Sequence, residues 1–157
     1  MSALFTPTTL RSLQIPNQIF ISPMCQYSAE RGEATNWHMI HLGSLALSGA
    51  GMLFIEATAV EPDDRITPAD LGLWNDATEN ALRPVMAAIR KYSNIPVTMQ
   101  LAHAGRKASS HTPWDGGQLI SVADGGWVTH ALPSPIPHKP DETPPLALDT
   151  ACLIRVA

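Results

Sequence analysis

Three short apolar runs separated by two helical patterns constrain the fold of this chain more than any other feature. The runs are Gln18 to Ile21, Met52 to Val60 and Pro96 to Leu101. Each is bounded by turn-forming residues, as is typical of strands buried on both faces of a parallel sheet. Their onsets near residues 19, 52 and 96 are 33 and 44 residues apart, and each gap holds one helical pattern. This spacing of consecutive βαβ units predicts an α/β fold.

The helical patterns show where each helix begins and which side it buries. The first helix is predicted to be capped by Asn36 and to end at Gly49-Ala50-Gly51. Its expected buried face consists of Trp37, Ile40, His41, Leu45 and Leu47. The second is predicted from a cap at Asp76 or Thr78 to about Tyr92, with Pro84 in its first turns or as a kink. Its apolar stripe consists of Ala81, Leu82, Val85, Met86 and Ile89.

The two ends of the chain lack this regular alternation. The first sixteen residues mix apolar and turn-forming positions, which predicts a short hairpin that acts as a lid or cap. Six of the 14 prolines lie between Pro133 and Pro145, and residues of about 108 to 145 are expected to form one long active-site loop. A further helix, capped by Asp149 or Thr150, is predicted to begin within Leu146 to Ala157.

Composition excludes several classes of protein. The chain has 157 residues, about one domain, with 10 basic and 14 acidic side chains, so its net charge of −4 does not suit nucleic-acid binding. Two cysteines do not make a disulfide framework, which favours a reducing compartment. No secretory signal and no apolar run long enough to cross a membrane are recognised. We therefore expect a cytoplasmic protein without nucleic-acid or membrane partners.

Side chains able to carry chemistry follow the first strand. Ser22-Pro23-Met24-Cys25-Gln26-Tyr27 lies just past its carboxyl end, the edge at which parallel α/β folds bind ligands. Cys25 could hydrogen-bond a cofactor, act as a nucleophile or simply be a small buried hydrophobe. The sequence leaves the same alternatives, function or packing, for Tyr27. Glu56, inside the second strand, must be paired or neutral, so a structural carboxylate is favoured over a catalytic acid.

The densest cluster of polar groups follows the third strand, in the segment Gln100 to Lys107. Gln100 can donate and accept together, which suits an amide or imide edge, while His103, Arg106 and Lys107 can hold an anion. In the alternative interpretation, Gln100 bonds backbone and the cations are solvated.

No metal site and no phosphate-binding motif is predicted. His38 and His41 are spaced to share a helix face and could be joined by His103, but neither a carboxylate nor a cysteine stands at a convincing ligand spacing. Glycine-rich dinucleotide, P-loop and esterase motifs do not occur.

The strand ends together resemble one family, the old yellow enzymes, which are FMN-dependent NAD(P)H oxidoreductases and ene reductases built on a (β/α)8 TIM barrel. The matching blocks occur in family order and spacing: LFTP at 4–7, SPMCQY at 22–27, IEATAVEPDDRITPADLGLWND at 55–76, QLAHAGRKAS at 100–109 and PSPI at 133–136. The cysteine in SPMC resembles the bacterial thermophilic-like class that includes xenobiotic reductases. The likeness extends to about residue 150.

The resemblance implies roles for particular residues. Ser22, Pro23, Met24 and Cys25 would line the flavin, with the Cys25 thiol donating towards a flavin carbonyl and tuning its potential. The backbone of Ala57 would pack beside the ring system, and Gln100 would bond its pyrimidine edge. Tyr27 would face the substrate, and Arg106 and Lys107 would give electrostatic support. The activity implied is hydride transfer from NAD(P)H through FMN to activated alkenes such as α,β-unsaturated carbonyls.

The length implies that this is only part of such a barrel. A TIM barrel typically has about 250 residues, whereas residues 1–157 contain about three βα units after the hairpin. The family's proton donor, its substrate-binding His pair and its phosphate contacts lie on later strands, so no catalytic residue is assigned. The isolated chain is expected to be weakly active or inactive. The alternative is a noncatalytic fragment that self-associates, as a homo-oligomer through its open edge, or needs a partner supplying the missing strands.

Overall fold

The computed structural model describes residues 2–131 and 134–150. The strands and α-helices follow one another in this order: β1 (Thr8–Leu10), β2 (Leu13–Ile15), β3 (Phe20–Ile21), α1 (Asn36–Ala46), β4 (Met52–Ala59), β5 (Leu71–Gly72), α2 (Asp76–Tyr92), β6 (Val97–Ala102), β7 (His130–Ala131) and β8 (Leu146–Ala147). The antiparallel pair β1 and β2 forms the predicted N-terminal hairpin. The three predicted core strands correspond to β3, β4 and β6, which confirms the α/β fold.

Strand β4 is the centre of the sheet. It pairs in parallel with β3 from Phe20 opposite Met52, and with β6 along most of its length. The two-residue strand β5 pairs with the carboxyl end of β4. At this point β6 already pairs with one edge of β4, so β5 must pair with the other edge. That is the edge with which β3 pairs. Because the three strands are parallel, the carboxyl ends of β3, β4 and β6 lie at the same end of the sheet.

The core lies between the sheet and the two helices. Fully buried side chains from β4 meet apolar side chains from both helices in one cluster: Leu42, Ala46, Leu53, Ile55, Leu71, Leu82, Val85, Ile89 and Ile95 belong to it. The predicted stripe of α2 is confirmed, since Leu82, Val85 and Ile89 are buried and Ala81 and Met86 are partly buried. Pro84 lies inside α2 on its exposed side.

The predicted face of α1 is wrong for most of its residues, although Leu45 packs against the core. The helix buries His38, Leu42 and Ala46, while Trp37, Ile40 and Leu47 are each about half or more exposed. Apolar residues occur on all sides of this helix, so the hydrophobic pattern alone does not predict which side is buried. The buried histidine decides the orientation, because its polar partner lies within the sheet.

The caps of both helices lie one residue or more before the predicted ones. Thr35 caps α1 and Asn75 caps α2, each in a reciprocal capping box. In α1 the Thr35 backbone N–H donates to Nδ1 of His38 at 2.9 Å. Asn36 and Asp76 are instead the first helical residues of α1 and α2.

The long segment after β6 is ordered by short turns and by one small strand pair. Two single helical turns, Pro113–Asp115 and Val122–Asp124, each end at a glycine with a left-handed conformation. Leu146–Ala147 forms β8 and pairs with β7, and Thr150 is helical, in agreement with the prediction of a helix capped by Asp149. The rest of that predicted helix, from 151 to 157, lies outside the described residues. None of the helices in the described part of the chain is long and apolar enough to cross a membrane.

Candidate functional site

A β-bulge in β4 brings two of the predicted cofactor-binding residues together. The register of β4 against β6 shifts between Ile55 and Ala57, so that Ala57 lies opposite Gln100 and Glu56 is the extra residue. Val97 and Met99 of β6 pack on the core side, so alternation places Gln100 on the opposite face, away from the helices. Gln100 is exposed on that face, with its amide group available to a ligand.

The Cys25 thiol lies beside Ala57 on the carboxyl side of β3. The backbone N–H of Ala57 and the hydroxyl of Tyr27 lie near its sulfur and act to lower the pKa of the thiol. Cys25, Ala57 and Gln100 therefore follow one another across the ends of three parallel strands. We call these three residues the strand-end row.

The environment of Cys25 argues against its use as a nucleophile. Burial, and secondarily the negative charges of Asp70 and Glu56, raise the pKa of the thiol to about 11. The thiol is then protonated at neutral pH, while the thiolate is the reactive form of cysteine. A protonated thiol can donate its S–H hydrogen to a ligand.

The raised pKa predicts slow alkylation of Cys25. At pH 8 we expect iodoacetamide to modify Cys25 in the folded chain about tenfold more slowly than in urea, because the smaller thiolate fraction is only partly offset by its greater nucleophilicity. The rate should continue to rise up to about pH 11. Peptide mass mapping follows Cys25 separately from Cys152. A rate that levels off by pH 9 would contradict the assignment.

Tyr27 has an unusual backbone and an aromatic neighbour. Its φ of 49° lies in the left-handed region, which is uncommon for a residue other than glycine. Its ring meets Trp114 edge to face, with centroids 5.3 Å apart. Burial, followed by nearby Cys25 and Asp70, raises the pKa of the phenol. Tyr27 and Lys107 line the same open cleft of about 300 Å³ together with the loop around Pro113.

Glu56 is paired, as the sequence predicts. It is 3% exposed, and its Oε2 accepts a hydrogen bond of 2.7 Å from the backbone N–H of Gln26. Its Oε1 lies 3.3 Å from Nε2 of His38, which is 1% exposed. This is the partner that fixes the orientation of α1.

The three cationic candidates after β6 have different surroundings. His103 accepts the Gly105 N–H on Nδ1 and places Nε2 3.3 Å from Oδ1 of Asp64, so it ties this loop to the one after β4. Arg106 is half-buried and Lys107 is exposed. Neither has a carboxylate partner among residues 2–131 and 134–150.

The two histidines of α1 do not converge on a metal site. His38 points to Glu56, whereas the ring of His41 stacks on Trp37 with centroids 6.0 Å apart. Within the described ranges no group of three His, Cys, Asp or Glu side chains could hold a metal ion.

The long loop is held over the sheet by an arginine between two tryptophans. The Arg65 guanidinium lies 5.5 Å from the Trp74 ring and 4.9 Å from the Trp127 ring. Trp127 Nε1 also donates to the carbonyl of Asp63 at 2.8 Å. Burial lowers the pKa of Arg65, against the opposing effects of Asp70 and Asp63. We call Arg65, Trp74 and Trp127 the arginine clamp.

Loss of the arginine clamp should loosen the loop. Trp127→Leu removes one cation–π contact and one hydrogen bond, together about 1–2 kcal/mol. Amide exchange in residues 111–127 should then accelerate about 5- to 30-fold while the exchange of β4 is unchanged. Trp114→Leu is the matched control, because Trp114 is 69% exposed and is not part of the clamp. Equal exchange in both variants would contradict the role of the clamp.

The sequence predicted where the candidate site residues lie but not which side chains they contact. His38 has a detectable signal, since Thr35 stands three residues before it as in a capping box. Asp70 is also missed: it is 2% exposed and accepts three hydrogen bonds, from Ile66 N–H, Thr67 N–H and the Thr67 hydroxyl. The arginine clamp has no local signal because Arg65 and Trp127 are far apart in the sequence.

Parallel strands joined by helices, with polar groups gathered at the strand carboxyl ends, place the chain in the α/β class that includes TIM barrels. A model described as the NADH:flavin oxidoreductase / NADH oxidase family matches residues 3–124, and the chain belongs to that family. Membership of this family implies FMN as the cofactor.

Two curated relatives are substantially similar in sequence. The chain is 41% identical over 142 residues to an NADH:flavin oxidoreductase from Gibberella zeae, which covers 89% of this chain and 34% of that protein. It is 43% identical over 111 residues to an NADPH dehydrogenase from Bacillus cytotoxicus, which covers 69% and 32%, respectively. The chain thus spans about a third of the length of these relatives.

Solved structures show the same fold. Morphinone reductase superposes with a TM-score of 0.74 at 26% identity, covering 98% of this chain and 41% of that one. An old yellow enzyme homologue from Zymomonas mobilis superposes with a TM-score of 0.73 at 22% identity, covering 99% and 42%, and this second likeness shows the fold alone. The predicted resemblance to old yellow enzymes and the N-terminal part of a TIM barrel are confirmed.

Proposed function

We propose that this chain supplies the flavin-facing first part of an FMN-dependent NAD(P)H oxidoreductase of the old yellow enzyme type. The observation that carries the proposal is the strand-end row, in which Cys25, Ala57 and Gln100 meet at the ends of three parallel strands. FMN would supply hydride transfer from NAD(P)H to an activated alkene, such as an α,β-unsaturated carbonyl. The chain's own residues would bind and orient it.

The residues of the row suit a flavin in chemistry and in size. The exposed Gln100 amide can donate and accept at once, as the imide edge of the pyrimidine ring requires. A protonated Cys25 thiol can donate towards a ring carbonyl. The small side chains of Ala57 and Ala102 leave room on the same face for a flat ring system. Ser22, Pro23 and Met24 belong to the same strand-end segment and would complete the wall beside the ring.

The remaining candidates would act on the substrate side. Tyr27 would face the substrate, because its hydroxyl reaches Cys25 and its ring borders the open cleft. Arg106 and Lys107 would give electrostatic support, since neither is engaged by a carboxylate in the described part of the chain. No residue of this chain is proposed as the proton donor.

Flavin titration of the purified chain tests its capacity to act alone. We expect FMN fluorescence to be quenched weakly or not at all, because three strand ends offer only one wall of the binding site. Purified protein that retains flavin absorbance and reduces an enone with NADPH would overturn this expectation about the isolated chain.

A second candidate function is a noncatalytic fragment that associates with itself or with a partner supplying further strands. One observation favours this candidate: among the described residues, β6 pairs with another strand along only one of its two edges. Leu101 of this strand is 64% exposed, and Phe20 of β3 is 40% exposed. Unpaired edges and exposed apolar groups favour association. A dilute solution measurement of molecular mass decides, since a well-folded monomer contradicts this candidate.

A further inference from the structure

We propose that Glu56 is a positioning residue whose carboxylate, held in place by His38, locks residues 24–28 in the conformation that keeps the Cys25 thiol against the Ala57 amide. Its relevance to flavin binding rests on the proposed function above. The lock itself is a property of the chain without cofactor and can be tested there.

Both groups that face Glu56 are hydrogen-bond donors. Oε2 accepts from the Gln26 backbone N–H at 2.7 Å, and Oε1 lies 3.3 Å from Nε2 of His38. Nδ1 of His38 accepts the Thr35 N–H at 2.9 Å, so the imidazole hydrogen is on Nε2, the ring nitrogen that lies beside Oε1 of Glu56 without forming an aligned hydrogen bond to it. A carboxylate satisfies two donors at once, whereas an amide of the same shape has only one oxygen. The pair therefore requires Glu and not Gln at position 56.

The same segment is tied to the start of α1 at two further points. The Thr35 hydroxyl donates to the carbonyl of Ser28 at 2.9 Å, and Nε1 of Trp37 donates to Oε1 of Gln26 at 3.1 Å. Tyr27 lies between these ties with its left-handed φ of 49°. Such a conformation persists only when the surrounding contacts hold it. The bonds from Gln26 and Ser28 on either side of Tyr27 supply that constraint.

The thiol environment depends on this arrangement. The groups that face Cys25 are the Ala57 N–H, the Tyr27 hydroxyl and the negative charges of Glu56 and Asp70, and burial has the largest effect on its pKa. Release of the segment would expose the thiol, and loss of the Glu56 charge acts in the same direction. Both changes lower the pKa from about 11 towards the ordinary value of 9.0.

Alkylation of Cys25 as a function of pH tests the proposal in the full chain. In Glu56→Gln we expect the rate at pH 8 to rise about tenfold, since the larger thiolate fraction is partly offset by weaker nucleophilicity. The rate should level off near pH 9 rather than near pH 11. Glu79→Gln is the matched control, because Glu79 is an exposed carboxylate on α2 paired with Arg83, and it should behave as the unmodified chain.

A second control separates positioning from general loss of stability. Leu82→Ala weakens the core without touching the segment, so its Cys25 should keep the high pKa in the folded fraction. His38→Gln is a second test variant, to be used if Glu56→Gln does not fold. We expect its rate of Cys25 alkylation at pH 8 to rise about threefold or more. An unchanged rate in the folded test variant, or an equal rise in Leu82→Ala, would overturn the proposal. Failure to bind FMN contradicts only the proposed function.

Discussion

Replacement of Gln100 by Leu should lower FMN affinity about 30- to 100-fold in a complete barrel. The suitable background is a chimera in which this chain replaces the matching third of the Bacillus cytotoxicus relative. Leu is similar in size but removes one donor and one acceptor, and it leaves the pyrimidine edge of the flavin without partners. Two lost hydrogen bonds correspond to about 2–3 kcal/mol. Equilibrium titration with FMN fluorescence measures the change.

Gln14→Leu is the control for this substitution. Gln14 is an exposed residue of the hairpin whose Oε1 accepts a hydrogen bond from Thr9, far from the strand-end row. Its FMN affinity should equal that of the unmodified chimera. Equal affinity of the Gln100 variant and this control would contradict the placement of Gln100 against the flavin.

Replacement of Leu53 by Ala should cost about 2–5 kcal/mol in the free energy of unfolding. Leu53 is 0% exposed near the start of β4 and belongs to the core cluster between the sheet and the helices. A domain of this size is stable by only about 5–15 kcal/mol, so the variant should lose a large part of its stability. The urea midpoint should fall at nearly constant slope.

Leu10→Ala provides the comparison for Leu53. Leu10 lies in the hairpin and is 47% exposed, so its truncation removes little buried area and should change the unfolding free energy by less than about 1 kcal/mol. Similar midpoints for the two variants would show that β4 is not the centre of the stable core.

The strands and α2 could be predicted because their signals are local. The run from Met52 is mostly apolar and bounded by turn residues, and α2 has one clear apolar stripe. The face of α1 could not be predicted, because its orientation depends on His38 meeting Glu56 across the helix–sheet interface. The bulge at Glu56 also has no sequence signal, since it depends on how β4 pairs with β6.

For the candidate site, too, some features could be predicted from the sequence and others could not. The positions of Cys25, Gln100 and their neighbours follow from the rule that ligands bind at the carboxyl ends of parallel strands. Their mutual register requires the bulge, which sets Ala57 opposite Gln100. The arginine clamp joins Arg65 to Trp127, and such a long-range contact is decided only by the folded chain.

The flavin content of the chimera tests the central claim most directly. We expect the purified chimera to retain FMN after desalting, with flavin absorbance near that of the parent enzyme, and to reduce a cyclic enone with NADPH. A folded, soluble chimera that neither retains FMN nor takes it up when added, while the parent enzyme treated identically is loaded, would contradict the claim that this chain forms the flavin-facing wall.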